Sequence, residues 1–213
     1  MPPENPTSAT GSSAPGAIDL RVVLGSTTPP GRLHRAVEGA IGRAAFEADL
    51  FDLGAHTIGF ADGTPPEDLA DDTGAAIAAV EEAPALVFAT PIYRGSMTGS
   101  LKNLFDLTPV PALQGKVVGL VAMGASDHHY LGAERHLRDV LAFFGAVVAP
   151  VAVYLNGGDF EDGVPTERAE TLLDQLFAGV AATATALDGV EALREPTPLA
   201  AKAIKPRAAG TSG

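Results

Sequence analysis

The amino-acid sequence predicts an α/β protein, an open parallel sheet of five strands in the order 2-1-3-4-5 with helices on both faces. Short apolar runs alternate along the chain with segments whose apolar residues recur at the helical period. Strands separated by helices must run parallel, and the crossovers cover both faces of the sheet. Five strand–helix units are too few to close an eight-unit barrel, so the sheet stays open, and 2-1-3-4-5 is the economical order.

The first strand is Ile18–Leu24, followed by Gly25-Ser26 and a proline-rich turn. The first helix carries apolar residues at 33, 37, 41, 44 and 45, one face of a helix. Asp49–Leu53 forms a short second strand, and a Gly/Pro/Asp loop runs on to Pro66. The second helix sets Leu69, Ala76, Ile77 and Val80 on one face. Ala85–Ala89 has the length and apolarity of a buried third strand. Ser100–Leu107 follows as the third helix, with apolar residues at 97, 101, 104 and 105. Lys116–Met123 is the fourth strand and ends in Gly124-Ala125-Ser126. The fourth helix spaces Tyr130, Ala133, Leu137, Leu141 and Phe144 along one side. Val147–Tyr154 is the fifth strand; Pro150 has no N–H for a ladder, which predicts an edge position or a bulge. Thr166 caps the fifth helix, with Glu167 in its first turn and Leu172, Leu173, Leu176, Phe177 and Val180 inward.

Residues 1–16, with four Pro and seven Ser, Thr or Gly, are expected to form a disordered tail, and residues 191–213 a second one. Between them lies one domain, 17–190. A net charge of −12 argues against a nucleic-acid surface. No apolar window approaches the ~18 residues of a membrane span, and the first sixteen residues lack the apolar run of a secretory signal. With no cysteine, the chain forms no disulfide, thiolate metal site or thiol nucleophile. The expected setting is the cytoplasm, with no nucleic-acid or membrane partner.

The chemistry is expected at the loops. Open α/β sheets bind ligands outside the carboxyl ends of their strands. A βα connection ordinarily takes about 2–6 residues; the one after Ala89 is longer and holds Tyr93 and Arg94. Gly25 to Arg35 gathers hydroxyls, glycines, a helix start and Arg32. A helix start offers unpaired N–H groups to a phosphate, and Arg32 adds a charge-assisted contact. Alone, that stretch reads equally well as a surface turn with a solvated arginine. Neither a G-x-G-x-x-G after the first strand nor a Walker A pattern occurs. Asp127-His128-His129 lacks a third ligand at metal spacing and reads as an N-cap aspartate with pocket-edge histidines. The acidic run from Asp62 to Asp72 reads as a solvated loop and helix start.

Residues 89–107, Ala-Thr-Pro-Ile-Tyr-Arg-Gly-Ser-Met-Thr-Gly-Ser-Leu-Lys-Asn-Leu-Phe-Asp-Leu, resemble the NADPH-dependent FMN reductase family. The likeness is closest to the branch holding the reductases of alkanesulfonate monooxygenase systems. Leu113-Gln114-Gly115-Lys116-Val117-Val118, Gly124-Ala125-Ser126 with His129, and Gly25-Ser26 with Pro30-Gly31-Arg32 extend it over roughly residues 18–190. The resemblance implies a flavodoxin-like fold binding FMN, with NADPH or NADH stacking on the flavin. By position it implies that Ser26, Arg32, Leu33 and His34 hold the phosphate. Pro91, Ile92, Tyr93 and Arg94 would border the isoalloxazine, and Gly124, Ala125 and Ser126 its pyrimidine edge. Tyr93, Met97 and His129 are the substrate-pocket candidates.

Hydride passes directly from nicotinamide to flavin in such a reaction, so no catalytic acid or base is expected, and no metal. Gly31 and Leu33 stand where many members carry hydroxyl residues, and Met97 where several two-component reductases carry Tyr or His. The implied activity is supply of reduced flavin to a partner monooxygenase. The alternatives are a reductase with resident FMN acting on quinones, azo compounds or other small acceptors, and a flavodoxin-type electron carrier. Family members associate as homodimers or homotetramers, which assigns the apolar face of Met97, Leu101, Leu104 and Phe105 to an interface.

Overall fold

Five strands line up in the order β2-β1-β3-β4-β5 in the computed structural model, which describes residues 20–26 and 30–194. They are β1 (Leu20–Leu24), β2 (Ala48–Asp52), β3 (Ala85–Pro91), β4 (Val117–Met123) and β5 (Val147–Val148). Every pairing in this sheet is parallel. The order is the expected one. Ile18, the turn residues Thr27 and Thr28, and the expected tails through residue 16 and from 195 lie outside the described residues.

The central strands explain the architecture. All residues of β3 from Ala85 to Thr90 are buried, so both faces of that strand are covered, as parallel sheets require. Alternate side chains then feed two separate cores. Val22, Leu24, Val87 and Val121 meet Leu33, Val37, Leu173 and Phe177 from α1 (Arg32–Arg43) and α5 (Glu167–Leu187). On the opposite face Val23, Phe88 and Leu120 meet α2 (Thr73–Glu81), α3 (Gly99–Leu107) and α4 (Tyr130–Phe144) through Val80, Leu101, Leu104, Leu137 and Leu141.

Four details differ from the sequence reading. The second helix begins at Thr73, because Pro66–Asp68 forms only a 3-10 turn and Leu69 packs against Gly59. Asp71 accepts the Thr73 N–H at 2.9 Å and Asp72 the Thr57 N–H at 2.8 Å, so both carboxylates order the helix start. The expected fifth strand splits into β5 and β6 (Val153–Leu155), which both pair with β4 on either side of Pro150. Beyond it, β7 (Phe160–Glu161) and β8 (Val164–Pro165) form an antiparallel hairpin with Asp162 and Gly163 at positive φ. Finally, Glu191–Arg194 make a 3-10 turn past residue 190, and Gln114 Nε2 donates to the Arg194 carbonyl. Thr166 caps α5 as expected, its Oγ1 accepting the Ala169 N–H at 3.3 Å. Among the described residues no helix is long and apolar enough to cross a membrane.

Candidate active site

The carboxyl ends of β1 and β3 are locked to the start of α3. The Gly25 N–H donates to the Ala89 carbonyl at 2.7 Å. A Cβ on Gly25 would lie 2.7 Å from Leu101 Cβ and 3.1 Å from Thr98 Oγ1, so a side chain there would force α3 away. Thr98 is the N-cap of α3: its Oγ1 accepts the Leu101 N–H at 3.3 Å and donates to the Gly25 carbonyl. Ser100 Oγ donates to the same carbonyl at 3.2 Å, and Thr90 Oγ1 accepts the Thr98 N–H at 3.2 Å. Both threonines are buried, which keeps this corner rigid.

At the end of β1 the first turn of α1 opens toward the crevice. Gly31 is its N-cap and offers no side chain, so the Arg32, Leu33 and His34 N–H groups have no partner within the helix. The Arg32 guanidinium lies 5.4 Å over the Phe160 ring, held near the loop that follows β6. Arg35 Nε donates to the Gly163 carbonyl at 3.1 Å, fixing the β7–β8 hairpin beside the helix start. Of the four residues expected at the phosphate, Ser26 and Arg32 keep a place at this end. The Leu33 side chain is buried in the core, leaving its N–H alone to face the crevice. His34 turns toward β2, with Nε2 3.4 Å from Asp52 Oδ2 and Nδ1 3.0 Å from Glu38 Oε2.

The long connection after β3 is a small hairpin. The Tyr93 N–H donates to the Ser96 carbonyl at 2.9 Å and the Ser96 N–H returns to Tyr93 at 3.2 Å. Arg94 and Gly95 between them have φ of 55° and 81°, a two-residue turn of the primed kind. Ser96 Oγ lies 2.9 Å from His136 Nδ1, which ties the turn to α4. The Ile92 N–H is spent on the Met123 carbonyl at 2.8 Å. Pro91 has no N–H, so only Arg94 and Gly95 in this turn keep N–H groups without a protein partner among the described residues. Tyr93 is 46% exposed at the rim. Met97 is only 7% exposed, packed in the α2–α3–α4 core, and lines no part of the crevice.

The third loop follows β4. Gly124 donates its N–H to Leu155 at 3.0 Å, while the Ala125 and Ser126 N–H groups have no protein partner among the described residues. Asp127 does not cap α4; it accepts from Asn156 Nδ2 and so joins this loop to the one after β6. His129 Nδ1 sits 3.2 Å from Ser126 Oγ on the exposed edge. Tyr154 OH donates to the Ser126 carbonyl at 2.5 Å. Burial, and then the nearby Asp127 and Asp159 carboxylates, push the Tyr154 phenol above its ordinary value. Its neutral form is the one the fold favours, so the associated stability is complete below the ordinary tyrosine range and is lost as pH rises through the raised value. In a titration at 295 nm one of the three tyrosines should ionise late, and Tyr154→Phe should remove that component. Three tyrosines ionising together would contradict this placement.

Comparison with known proteins bears on these loops. Residues 18–160 match the family described as NADPH-dependent FMN reductase. The chain is 41% identical over 116 residues to an NAD(P)H-dependent FAD/FMN reductase of Geobacillus thermodenitrificans, covering 54% of this chain and 63% of that one. It therefore spans less than two thirds of that relative's length. It is 32% identical over 173 residues to the NADH-dependent FMN reductase SfnF of Pseudomonas putida, covering 76% and 92%. The flavoenzyme NAD(P)H:(acceptor) oxidoreductase FerB of Paracoccus denitrificans superposes with a TM-score of 0.65 at 18% identity, over 79% of this chain and 98% of that one. That last likeness concerns the fold alone. On its sequence and its sheet order together, the chain belongs to the NADPH-dependent FMN reductase family and has a flavodoxin-like fold.

Proposed function

We propose that this protein is an NAD(P)H-dependent FMN reductase that supplies reduced flavin to a separate flavin-dependent monooxygenase in the cytoplasm. One observation carries the reading. The uncapped first turn of α1 with Arg32, the Arg94–Gly95 turn and the Ala125–Ser126 loop all lie at the carboxyl ends of β1, β3 and β4. That donor set fits FMN. N–H groups at a helix start and a guanidinium suit a phosphate dianion, and uncommitted backbone donors suit the polar edge of the flavin ring. Bound there, FMN would accept a hydride from the nicotinamide. The chain's residues contribute positioning and exclusion of water rather than proton transfer. Arg32 and the α1 N–H groups would anchor the phosphate, and Tyr93 at the rim would border the stacked rings.

The reading extends to assembly, with a correction. The apolar face of α3 is consumed inside the chain: Leu101, Leu104 and Phe105 are all at most 3% exposed. Apolar surface remains instead on α4, where Leu131 and Phe143 are 50% and 56% exposed. A homodimer or homotetramer built on α4 is the proposed form.

A second reading, resident FMN with quinones or azo compounds as acceptors, draws on α3 itself. That helix runs unbroken from Gly99 to Leu107, and Met97 lies before its cap. Visible spectra and NADPH oxidation with and without added FMN separate the two. The expected result is a nearly colourless protein whose NADPH oxidation saturates with FMN. Stoichiometric yellow flavin after gel filtration, with turnover indifferent to added FMN, would favour the resident cofactor. No oxidation of either dinucleotide would leave an electron carrier.

A further inference from the structure

Arg94 combines three properties that the flavin site does not use. It is a non-glycine residue held at φ 55°, a conformation that L side chains adopt at a cost. Its side chain is exposed, and it has no hydrogen bond or ion pair among the described residues. The turn that holds it is not loose: the paired Tyr93 and Ser96 close it, and the Ser96–His136 contact pins it to α4. That contact also brings a second arginine to the same rim. Arg135, next in the chain to His136, is exposed and equally without an ion-pair partner among the described residues. By contrast Arg21, Arg43, Arg138 and Arg168 are all paired with carboxylates.

Charge gives these two residues a purpose. The chain carries a net charge of −12, which repels a polyanionic dinucleotide. NADPH differs from NADH by a single terminal phosphate on the adenosine ribose, a dianion with three free oxygens. An arginine fork matches such a group with two parallel N–H···O bonds, and it does so best where the group ends the molecule and can be reached from the rim. A fixed turn presents that fork without ordering a loop at each binding event.

We propose that Arg94, with Arg135 beside it, binds the adenosine 2′-phosphate of NADPH and sets a preference for NADPH over NADH. The proposal rests on the reductase reading above and deepens it. Arg94→Asn tests it while keeping the turn, because asparagine tolerates a positive φ. Arg94→Lys keeps the charge but loses the fork, and Arg135→Gln removes the second cation. Two measurements are needed: kcat/KM for each dinucleotide with FMN, and calorimetric binding of 2′,5′-ADP and 5′-AMP to the FMN-loaded protein.

The wild-type protein should prefer NADPH and bind 2′,5′-ADP more tightly than 5′-AMP. Arg94→Asn should lower kcat/KM for NADPH about tenfold to a hundredfold, the worth of hydrogen bonds to a charged group, and erase the preference. Arg94→Lys should fall between, and Arg135→Gln should lose a smaller factor, again for NADPH only. Equal losses for both dinucleotides would assign Arg94 to a shared part of the cofactor and overturn the proposal. So would an unaltered preference in Arg94→Asn, or a wild-type protein that does not prefer NADPH. If 2′,5′-ADP binds selectively through Arg94 but no turnover occurs, the reductase reading fails and the phosphate site stands.

Discussion

Replacing Arg32 by alanine is expected to weaken FMN binding by about 1.5–3 kcal/mol, the cost of losing hydrogen bonds to a charged phosphate. Riboflavin, which lacks the phosphate, should bind wild type and variant alike. The contrast matters because α1 begins at a glycine N-cap and two of the four expected phosphate side chains, Leu33 and His34, point elsewhere. The anchor then reduces to Arg32 and backbone N–H groups. Phe160 makes a graded control, since it orients the guanidinium from 5.4 Å. Phe160→Leu removes a cation–π contact worth about 0.5–1 kcal/mol at an exposed site and should weaken FMN by no more than that. Flavin fluorescence quenching reads both affinities directly. If Arg32→Ala lost FMN and riboflavin equally, the residue would be supporting the fold of the crevice rather than the phosphate.

Thr98→Val should be the most damaging conservative change at this site for stability. The isosteric swap deletes an N-cap hydroxyl, worth about 1 kcal/mol. It also removes a donor to the Gly25 carbonyl, and a buried polar group left short of partners costs about 1–3 kcal/mol. Together these predict a loss of about 2–4 kcal/mol of unfolding free energy. Thr98→Ser keeps the hydroxyl and should recover most of it. Urea denaturation of the two variants beside wild type checks the comparison. A loss below about 0.5 kcal/mol for valine, the range of ordinary surface changes, would mean that Ser100 carries the corner alone.

The sheet was legible because apolar runs and helical periodicity depend on burial, which the pattern of residues writes directly. The exact start of α2 was not. Leu69 fits a helical face by spacing, yet it is needed against Gly59, and the carboxylates of Asp71 and Asp72 set the helix start later. The β7–β8 hairpin had a signal that periodicity does not weigh: Asp162-Gly163, the residue pair that favours a two-residue primed turn. At the site, the loops were legible but side-chain directions were not. Whether Leu33, His34 or Met97 faces the crevice depends on how α1 and α3 are rolled against the sheet. Packing on the far side of each helix sets that roll. The same limit applies to Asp127, whose partner Asn156 is 29 positions away in sequence.

The break in the last strand has a meaning for the protein among its neighbours. A long, flat outer strand presents a row of unsatisfied backbone groups that another chain can extend, the usual beginning of aggregation. Here the outer row is cut between Val148 and Val153, and the Pro150 carbonyl is already engaged by Arg138 at 3.0 Å. What remains is two fragments of two and three residues, too short to template a foreign strand. The proline that weakens the sheet at its margin thus keeps a valine-rich edge from recruiting copies of itself.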